Sequence, residues 1–352
     1  MLSPIISGIQ QIGLGNTDVQ ATFRWYHQHF GMDIRIFDEA AEAGLMLPYT
    51  GGEPRSRHAI LAINIQGGGG LEIWQYTSRE AQPPNFEPLL GDTGIYIAKF
   101  KCRDVKATYE AFRKRGLELL GEISQRPDGR EHFYLKDLHG NLVEVIPADE
   151  WFKSGKGPTG GVYGCTIGVT NVEKALAVYS DILGYDEVVS DRADVFDDFA
   201  VLPGGTHRFR RVLLRHSKAR RGAFSRLLGP SEIELVSVEG RSPRKIFENR
   251  LWGDQGYIHL CFDINGMDRL REICKEKGFA FTVDSSDSFD MGEAAGHFSY
   301  IEDPDGTLIE FVETHKVPIL KKINWYLNLR KRNPEKPLPN WMVGALAFNR
   351  VK

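Results

Sequence analysis

The chain repeats itself, and that repeat restricts its fold more than any other feature of the sequence. Gly94-Ile-Tyr-Ile-Ala-Lys-Phe100 reads as a strand and leads into a helical stretch ending at Arg115-Gly116-Leu117. Gly256-Tyr-Ile-His-Leu-Cys-Phe262 does the same and ends at Lys277-Gly278-Phe279. The two glycines of each segment stand 22 positions apart (116 − 94 and 278 − 256). A glycine just past a helix supplies its left-handed stop. A second pair of segments opens the halves. Residues 9–14 lead to Asn16-Thr17-Asp18, then to a helix carrying Phe23, Trp25, Tyr26 and Phe30, then to Gly31. Residues 162–167 lead to Thr170-Asn171, then to a helix carrying Ala175, Val178, Tyr179 and Ile182, then to Gly184. Tyrosine precedes glycine by five residues in both (31 − 26 and 184 − 179), and Thr17 or Asp18 and Thr170 or Asn171 offer N-cap oxygens. A third pair closes the halves: Asp137-Leu-His-Gly-Asn-Leu-Val-Glu144 matches Asp303-Pro-Asp-Gly-Thr-Leu-Ile-Glu310. Each has a tight glycine turn and then a strand carrying a glutamate.

Each unit therefore reads strand, helix, then three strands. The units span about 5–80, 92–148, 160–238 and 254–314. Residues 151–159 form a Gly/Lys/Pro-rich linker, so two domains are expected, 1–150 and 160–315, followed by a tail over 316–352. The tail is basic (Lys321, Lys322, Arg330, Lys331, Arg332) and aromatic (Trp325, Tyr326, Trp341), and is expected to clamp over the fold or pack on another subunit.

The formal net charge of −3 provides no field for nucleic acid or an anionic membrane. No run of about 18 apolar residues predicts a membrane span, and the first residues lack the basic and apolar regions of a signal peptide. Cys102, Cys165, Cys261 and Cys274 form no Cys-x-x-Cys pair; they read as buried thiols in a reducing cytoplasm. A small-molecule substrate and at most a second copy of the chain, as a homodimer, are the expected partners.

The order of the units, and Asp303-Pro-Asp-Gly-Thr-Leu-Ile-Glu310 in particular, resembles the vicinal oxygen chelate superfamily. That group includes glyoxalase I, extradiol dioxygenases, methylmalonyl-CoA epimerase and fosfomycin and bleomycin resistance proteins. The resemblance covers the chain to about residue 315 and implies an α+β fold of four βαβββ modules forming two open barrels. It is specific for fold and weak for reaction. It further implies that metal ligands come from the first and last strands of paired modules. The first-strand ligand falls seven residues before the residue that opens the helix, which gives Gln11, Ile97, Gly164 and His259. The last-strand ligand is a glutamate: Glu72, Glu144, Glu234 or Glu310. Pairing of neighbours groups Gln11, Glu72 and Glu144 in one half and Glu234, His259 and Glu310 in the other. Pairing of the outer units groups Gln11, Glu72, His259 and Glu310, the set seen in some glyoxalase I enzymes. Outer pairing is preferred because it leaves Ile97 and Gly164 in an inert second barrel.

One imidazole, two carboxylates and an amide oxygen suit a divalent cation such as Zn, Ni, Co, Mn or Fe. By the resemblance, such an ion acts as a Lewis acid on an enediolate of a small oxygenated metabolite, in lyase or isomerase chemistry. Glu310 is the expected base, with Glu72 as its partner. An Fe(II) ring-cleaving dioxygenase is the alternative, although Gln11 stands where that chemistry requires a second histidine. A non-catalytic binding or resistance protein is a further alternative. Substrate-facing candidates are His297, Tyr300 and Asp290 in the last unit and Arg57, His58, Trp74 and Tyr76 in the first. The small residues of 288–297 suit a lid. Glu144 and Glu234 are expected to be exposed or salt-bridged. The Gly67-Gly68-Gly69-Gly70 run lacks the Lys-Ser/Thr of a phosphate loop and reads as a flexible hairpin turn.

Overall fold

A computed structural model describes residues 3–286, 289–290, 295–320 and 325–351. The first unit contains β1 (Ile5–Gly15), α1 (Val19–Phe30), β2 (Ile34–Glu42), β3 (Ser56–Ile63) and β4 (Gly70–Tyr76). The second contains β5 (Gly94–Cys102), α2 (Val105–Lys114), β6 (Leu119–Gln125), β7 (Glu131–Lys136) and β8 (Leu142–Pro147). The third contains β9 (Thr159–Gly168), α3 (Val172–Tyr179), β10 (Glu187–Asp194), β11 (Phe209–Arg215), the short α4 (Ser225–Leu228) and β12 (Glu232–Val238). The fourth contains β13 (Gly256–Asn265), α5 (Met267–Glu276), β14 (Val283–Asp284), β15 (Phe289–Asp290), β16 (Ala295–Glu302) and β17 (Leu308–Leu320). After it come β18 (Trp325–Asn328) and α6 (Asn340–Gly344).

The helices begin where side-chain oxygens can take their free N–H groups. Asp18, Asp104 and Asn171 accept from Ala21, Ala107 and Lys174. Gly266 has no such oxygen, and Glu313 of β17 serves instead, accepting from the backbone N–H of Gly266 and Met267.

The strands form two curled sheets. One runs β14-β16-β17-β13-β1-β4-β3-β2, with β15 on β16 and β18 on β17; the other runs β10-β11-β12-β9-β5-β8-β7-β6. The outer units thus share one sheet and the inner units the other. The linker at 151–159 is a boundary in sequence, while both sheets run across it. At the outer seam β1 lies antiparallel to β13, with Gly13 opposite His259 and Gln11 opposite Cys261.

An apolar cluster from Ile9 and Phe23 through Phe100, Tyr179 and Leu235 to Phe262 joins both sheets and their helices. Phe30 of α1 lies 4.6 Å from Phe100 and 5.3 Å from Phe112, both in the second unit. The concave faces carry separate clusters, around Trp74 and Tyr300 in one sheet and around Phe199 and Phe209 in the other.

The Gly67–Gly70 run lies in the connection between the antiparallel β3 and β4, as a hairpin turn would, but it is packed and not open to solvent. It is buried where the two sheets meet, with Gly69 bridged to Val162. A β-carbon on Gly68 would stand 2.8 Å from the backbone of Gly161, so the run is there for close backbone approach. The tail closes on the first unit: Leu338, Val343 and Leu346 pack with Ile34, Ile63 and Ile65, and Arg350 pairs with Asp33 at 2.8 Å. Lys321 and Lys322 lie outside the described residues. No helix among the described residues is long and apolar enough to cross a membrane.

Candidate metal centre

Strand alternation decides which side chains meet inside the outer sheet. Glu72 on β4 and Glu310 on β17 flank the β1/β13 seam, where Gln11 and His259 stand. The four converge. His259 Nε2 lies 3.1 Å from Glu310 Oε2 and 3.4 Å from Glu72 Oε2. Gln11 Nε2 lies 3.1 Å from Glu72 Oε2 and 3.5 Å from Glu310 Oε2. One ligand atom each from Glu72, His259 and Glu310 fall within 4.8 Å of one another. All four residues are buried.

The seam makes room for the imidazole. A β-carbon on Gly13 would stand 2.6 Å from His259 Nδ1. Trp252 stacks on the ring (centroids 6.1 Å apart, planes 12° apart), and Tyr300 meets it edge-on at 5.6 Å. Burial alone pushes the His259 pKa down; Glu310 and then Glu72 overcome this and hold it at about 9. Burial pushes Glu310 up, and His259 and the Tyr300 hydroxyl more than offset it, leaving it below the usual carboxylate range.

Two observations fit a divalent cation at this point. First, His259 Nε2 stands 3.1 and 3.4 Å from the two carboxylates without being aligned on either, and Gln11 Oε1 is buried without a partner. The Gln11 amide turns its N–H toward the carboxylates; which end faces the centre depends on whether a cation is present. Second, the inner sheet holds the same pair of carboxylates and neutralises them. Glu144 is the counterpart of Glu310, and Glu234 of Glu72. Lys99, in the register of Cys261 (99 − 94 = 261 − 256), reaches between them. Its Nζ lies 3.1 Å from Glu144, 3.2 Å from Glu232 and 2.8 Å from Glu234. Arg211 bonds Glu234 at 2.6 Å and Asp198 at 2.7 Å, Arg126 bonds Glu232 at 2.5 Å, and His132 bonds Glu144 at 2.7 Å. Cations there at least match carboxylates. In the outer sheet two buried carboxylates face a single imidazole. A buried charge without compensation costs several kcal/mol, so the outer centre lacks the positive charge that the inner one builds in.

Glu144 and Glu234 are therefore salt-bridged, one of the two arrangements expected of them, and they are fully buried rather than exposed. Lys99 was hidden from sequence reading because it lies in an apolar strand and not at a ligand position.

The centre opens on a cavity of about 450 Å³. Gln11, Glu72 and Glu310 line one part, and Phe37, Leu61, Trp74, Trp252, Phe298 and Tyr300 form its walls. Trp74 and Tyr300 thus face the cavity, as does Arg57, which is paired with Glu39 at 3.1 Å. His58 and His297 do not line it. Alternation turns them to the other face, where His58 pairs with Asp38 at 2.6 Å and His297 with Asp284 at 2.5 Å. Tyr76 donates to the Trp252 carbonyl. The Asp290 side chain, and Ser288 and 291–294 of the expected lid, lie outside the described residues. Trp252 was not anticipated, because it sits in a loop before β13 with no periodic pattern.

A family model described as Glyoxalase/Bleomycin resistance protein/Dioxygenase superfamily matches residues 8–145 and 163–311. Comparison with curated proteins gave no match. Among solved structures, a single-substitution mutant of glyoxalase I from Zea mays is similar with a TM-score of 0.56 and 15% identity, covering 88% of this chain and 92% of that one. Glyoxalase I from Zea mays without a substitution gives 0.53 and 14% over 88% and 92%. A Bacillus subtilis protein provisionally described as a dioxygenase gives 0.56 and 13% over 88% and 86%. At these identities the likeness is one of fold.

Proposed function

The chain belongs to the Glyoxalase/Bleomycin resistance protein/Dioxygenase superfamily, and from that premise we propose that it is a divalent-metal-dependent enzyme of the lyase or isomerase kind. Its substrate is a small molecule with two neighbouring oxygens. The observation that carries this reading is the charge deficit of the outer centre beside the Lys99-neutralised inner one. Gln11, Glu72, His259 and Glu310 would hold the ion. When bound, a divalent ion at this centre supplies Lewis acidity toward the two oxygens.

The chain's own residues supply the rest. Leu61, Trp74, Trp252 and Phe298 surround the reacting end and limit water there. The carboxylates differ in mobility. Tyr300 stands opposite Glu310 across β16 and β17 and donates to its Oε1 at 2.8 Å. Leu61 stands opposite Glu72 and offers no hydrogen bond. Glu310 is thus held by a hydroxyl in addition to Gln11 and His259, whereas Glu72 has Gln11 and His259 alone. Glu72 is the less tethered carboxylate and the one placed to take a proton from the carbon beside a substrate carbonyl. This reverses the roles the sequence suggested for the pair.

The test is metal content of the purified full chain, followed by proton exchange at the carbon beside a carbonyl in deuterated water, using hydroxyketones as probes. About one equivalent of metal per chain and metal-dependent exchange are expected. Absence of metal uptake overturns the reading. Oxygen uptake with catechols or hydroquinones in place of exchange would assign the dioxygenase alternative.

A further inference from the structure

The cavity extends beyond the metal centre, and a second acidic group faces it. On β13, His259, Cys261 and Asp263 fall on one face. Asp263 is 3% exposed, lines the cavity, and stands about 13 Å along the strand from His259, at roughly 3.3 Å per residue. Thr314 of β17 and Asn349 of the tail line the cavity as well. The Ser7 hydroxyl neighbours the Asp263 carboxyl, and among the described residues no lysine, arginine or histidine pairs with it. Lys316, also in the lining, rests on the Tyr326 ring at 4.0 Å. A buried carboxyl with no cation paired to it and one hydroxyl beside it is costly unless something else reaches it.

The inner sheet again provides the comparison. The position equivalent to Asp263 is Lys101 (263 − 256 = 101 − 94). Lys101 is buried too, and its ammonium donates to the Glu150 carbonyl at 3.0 Å and lies 4.9 Å over the Trp151 ring. There the buried group turns to a carbonyl and a ring of the protein; in the outer sheet it faces a cavity.

We propose that Asp263 is a distal binding subsite, which takes a hydrogen-bond donor (a hydroxyl or an ammonium group) on the far end of the molecule whose neighbouring oxygens reach the metal centre. This rests on the metal reading above for the near end only. The substrate is then an elongated, largely apolar molecule, polar at both ends. Burial and the neighbouring Glu313 hold the Asp263 carboxyl up at about 7, so near neutrality it is able both to accept and to donate.

The experiment uses the nickel-loaded full chain and catechols bearing an alkyl spacer of increasing length that ends in methyl, hydroxyl or ammonium, with affinity read by calorimetry. At the matching spacer length, a donor-ended probe is expected to bind roughly tenfold more tightly than the methyl-ended one, the scale of a hydrogen bond to a buried carboxylate. Asp263→Leu is expected to erase that preference while binding the methyl-ended probe undiminished, which also shows that the variant is folded. Asp263→Asn separates the two donors: the hydroxyl preference survives and the ammonium preference is lost if a cation is the true occupant. Nickel-dependent binding that ignores the tail, or a tail preference that survives Asp263→Leu, overturns this inference alone. Binding that is weak and indifferent to nickel overturns the metal reading and this inference with it.

Discussion

Gly13 and His259 face each other across the β1/β13 seam at a distance that admits no side chain: a β-carbon on Gly13 would lie 2.6 Å from Nδ1 of the imidazole. Gly13 does not adopt a left-handed conformation, so its role is space and not backbone freedom. Gly13→Ala is expected to displace the ring, lowering stability by about 1–3 kcal/mol as overpacking does. Metal affinity should fall by roughly tenfold or more, because a ligand moved by a fraction of an ångström loses its geometry. Calorimetric titration with nickel or zinc, alongside a urea denaturation curve, separates the two effects.

The asymmetry between Tyr300 and Leu61 gives a divided prediction for the two carboxylates. Glu310→Gln should lose metal and activity together, since Glu310 is the anchored ligand. Glu72→Gln should keep measurable metal while proton exchange falls by roughly a hundredfold or more, the scale of a lost general base. Tyr300→Phe, which removes the 2.8 Å hydrogen bond, should weaken metal binding by roughly fivefold to tenfold, matching about 1–1.5 kcal/mol. Metal content and exchange rate measured on each variant decide it. Loss of metal in Glu72→Gln equal to that in Glu310→Gln would return the base to Glu310.

Units that do not share a sheet are tied by a repeated pair. Tyr26 donates to Asp137 at 2.9 Å, and Tyr179 donates to Asp303 at 2.8 Å. In each case a helix of one unit bonds the glycine turn of the next. Tyr26→Phe and Tyr179→Phe should each cost about 1–3 kcal/mol, because each leaves a buried carboxylate short of a donor. The sites are separate, so the double variant should show nearly additive loss. Thermal unfolding of the two single variants and the double variant is the check.

These pairs show how far the sequence could be read. Tyr26 and Tyr179, and Asp137 and Asp303, were visible as repeat positions through spacing to glycine, but spacing does not say that they bond each other across units. Gln11, Glu72, His259 and Glu310 were reached by counting along a family pattern, which works because strand alternation holds each register. The same alternation excluded His58 and His297, which lie one residue off the inward-facing positions. Lys99 and Asp263 escaped for another reason. Each sits in a strand that is otherwise apolar, and only the tertiary pairing shows that one meets three glutamates and the other an open cavity. Trp252 and the tail residue Asn349 come from segments without periodicity, so no local signal places them at the cavity.

Lys99 is expected to hold the inner sheet together. Burial pushes Glu144 and Glu234 upward; for Glu144, Lys99 and Arg126 more than offset this, and for Glu234, Arg211 and Lys99 do, so both stay below the usual carboxylate range. A folded-state pKa below the unfolded value means that the unfolded chain binds more protons between the two. The stabilisation is therefore fully present above about pH 4.3, the unfolded glutamate value, and is lost as the pH falls below it. Lys99→Met removes the ammonium and leaves three glutamates with fewer cations, at a cost of about 3–5 kcal/mol for a broken buried pair. The carboxylates should then take up protons at higher pH, so the acid-unfolding transition should move toward neutrality as well as the stability at pH 7 declining. Circular dichroism through an acid titration and through a urea series measures both. A Lys99→Met chain that keeps the parent's acid transition would show that Arg126, Arg211 and His132 are sufficient to neutralise the cluster, and would weaken the contrast with the outer centre.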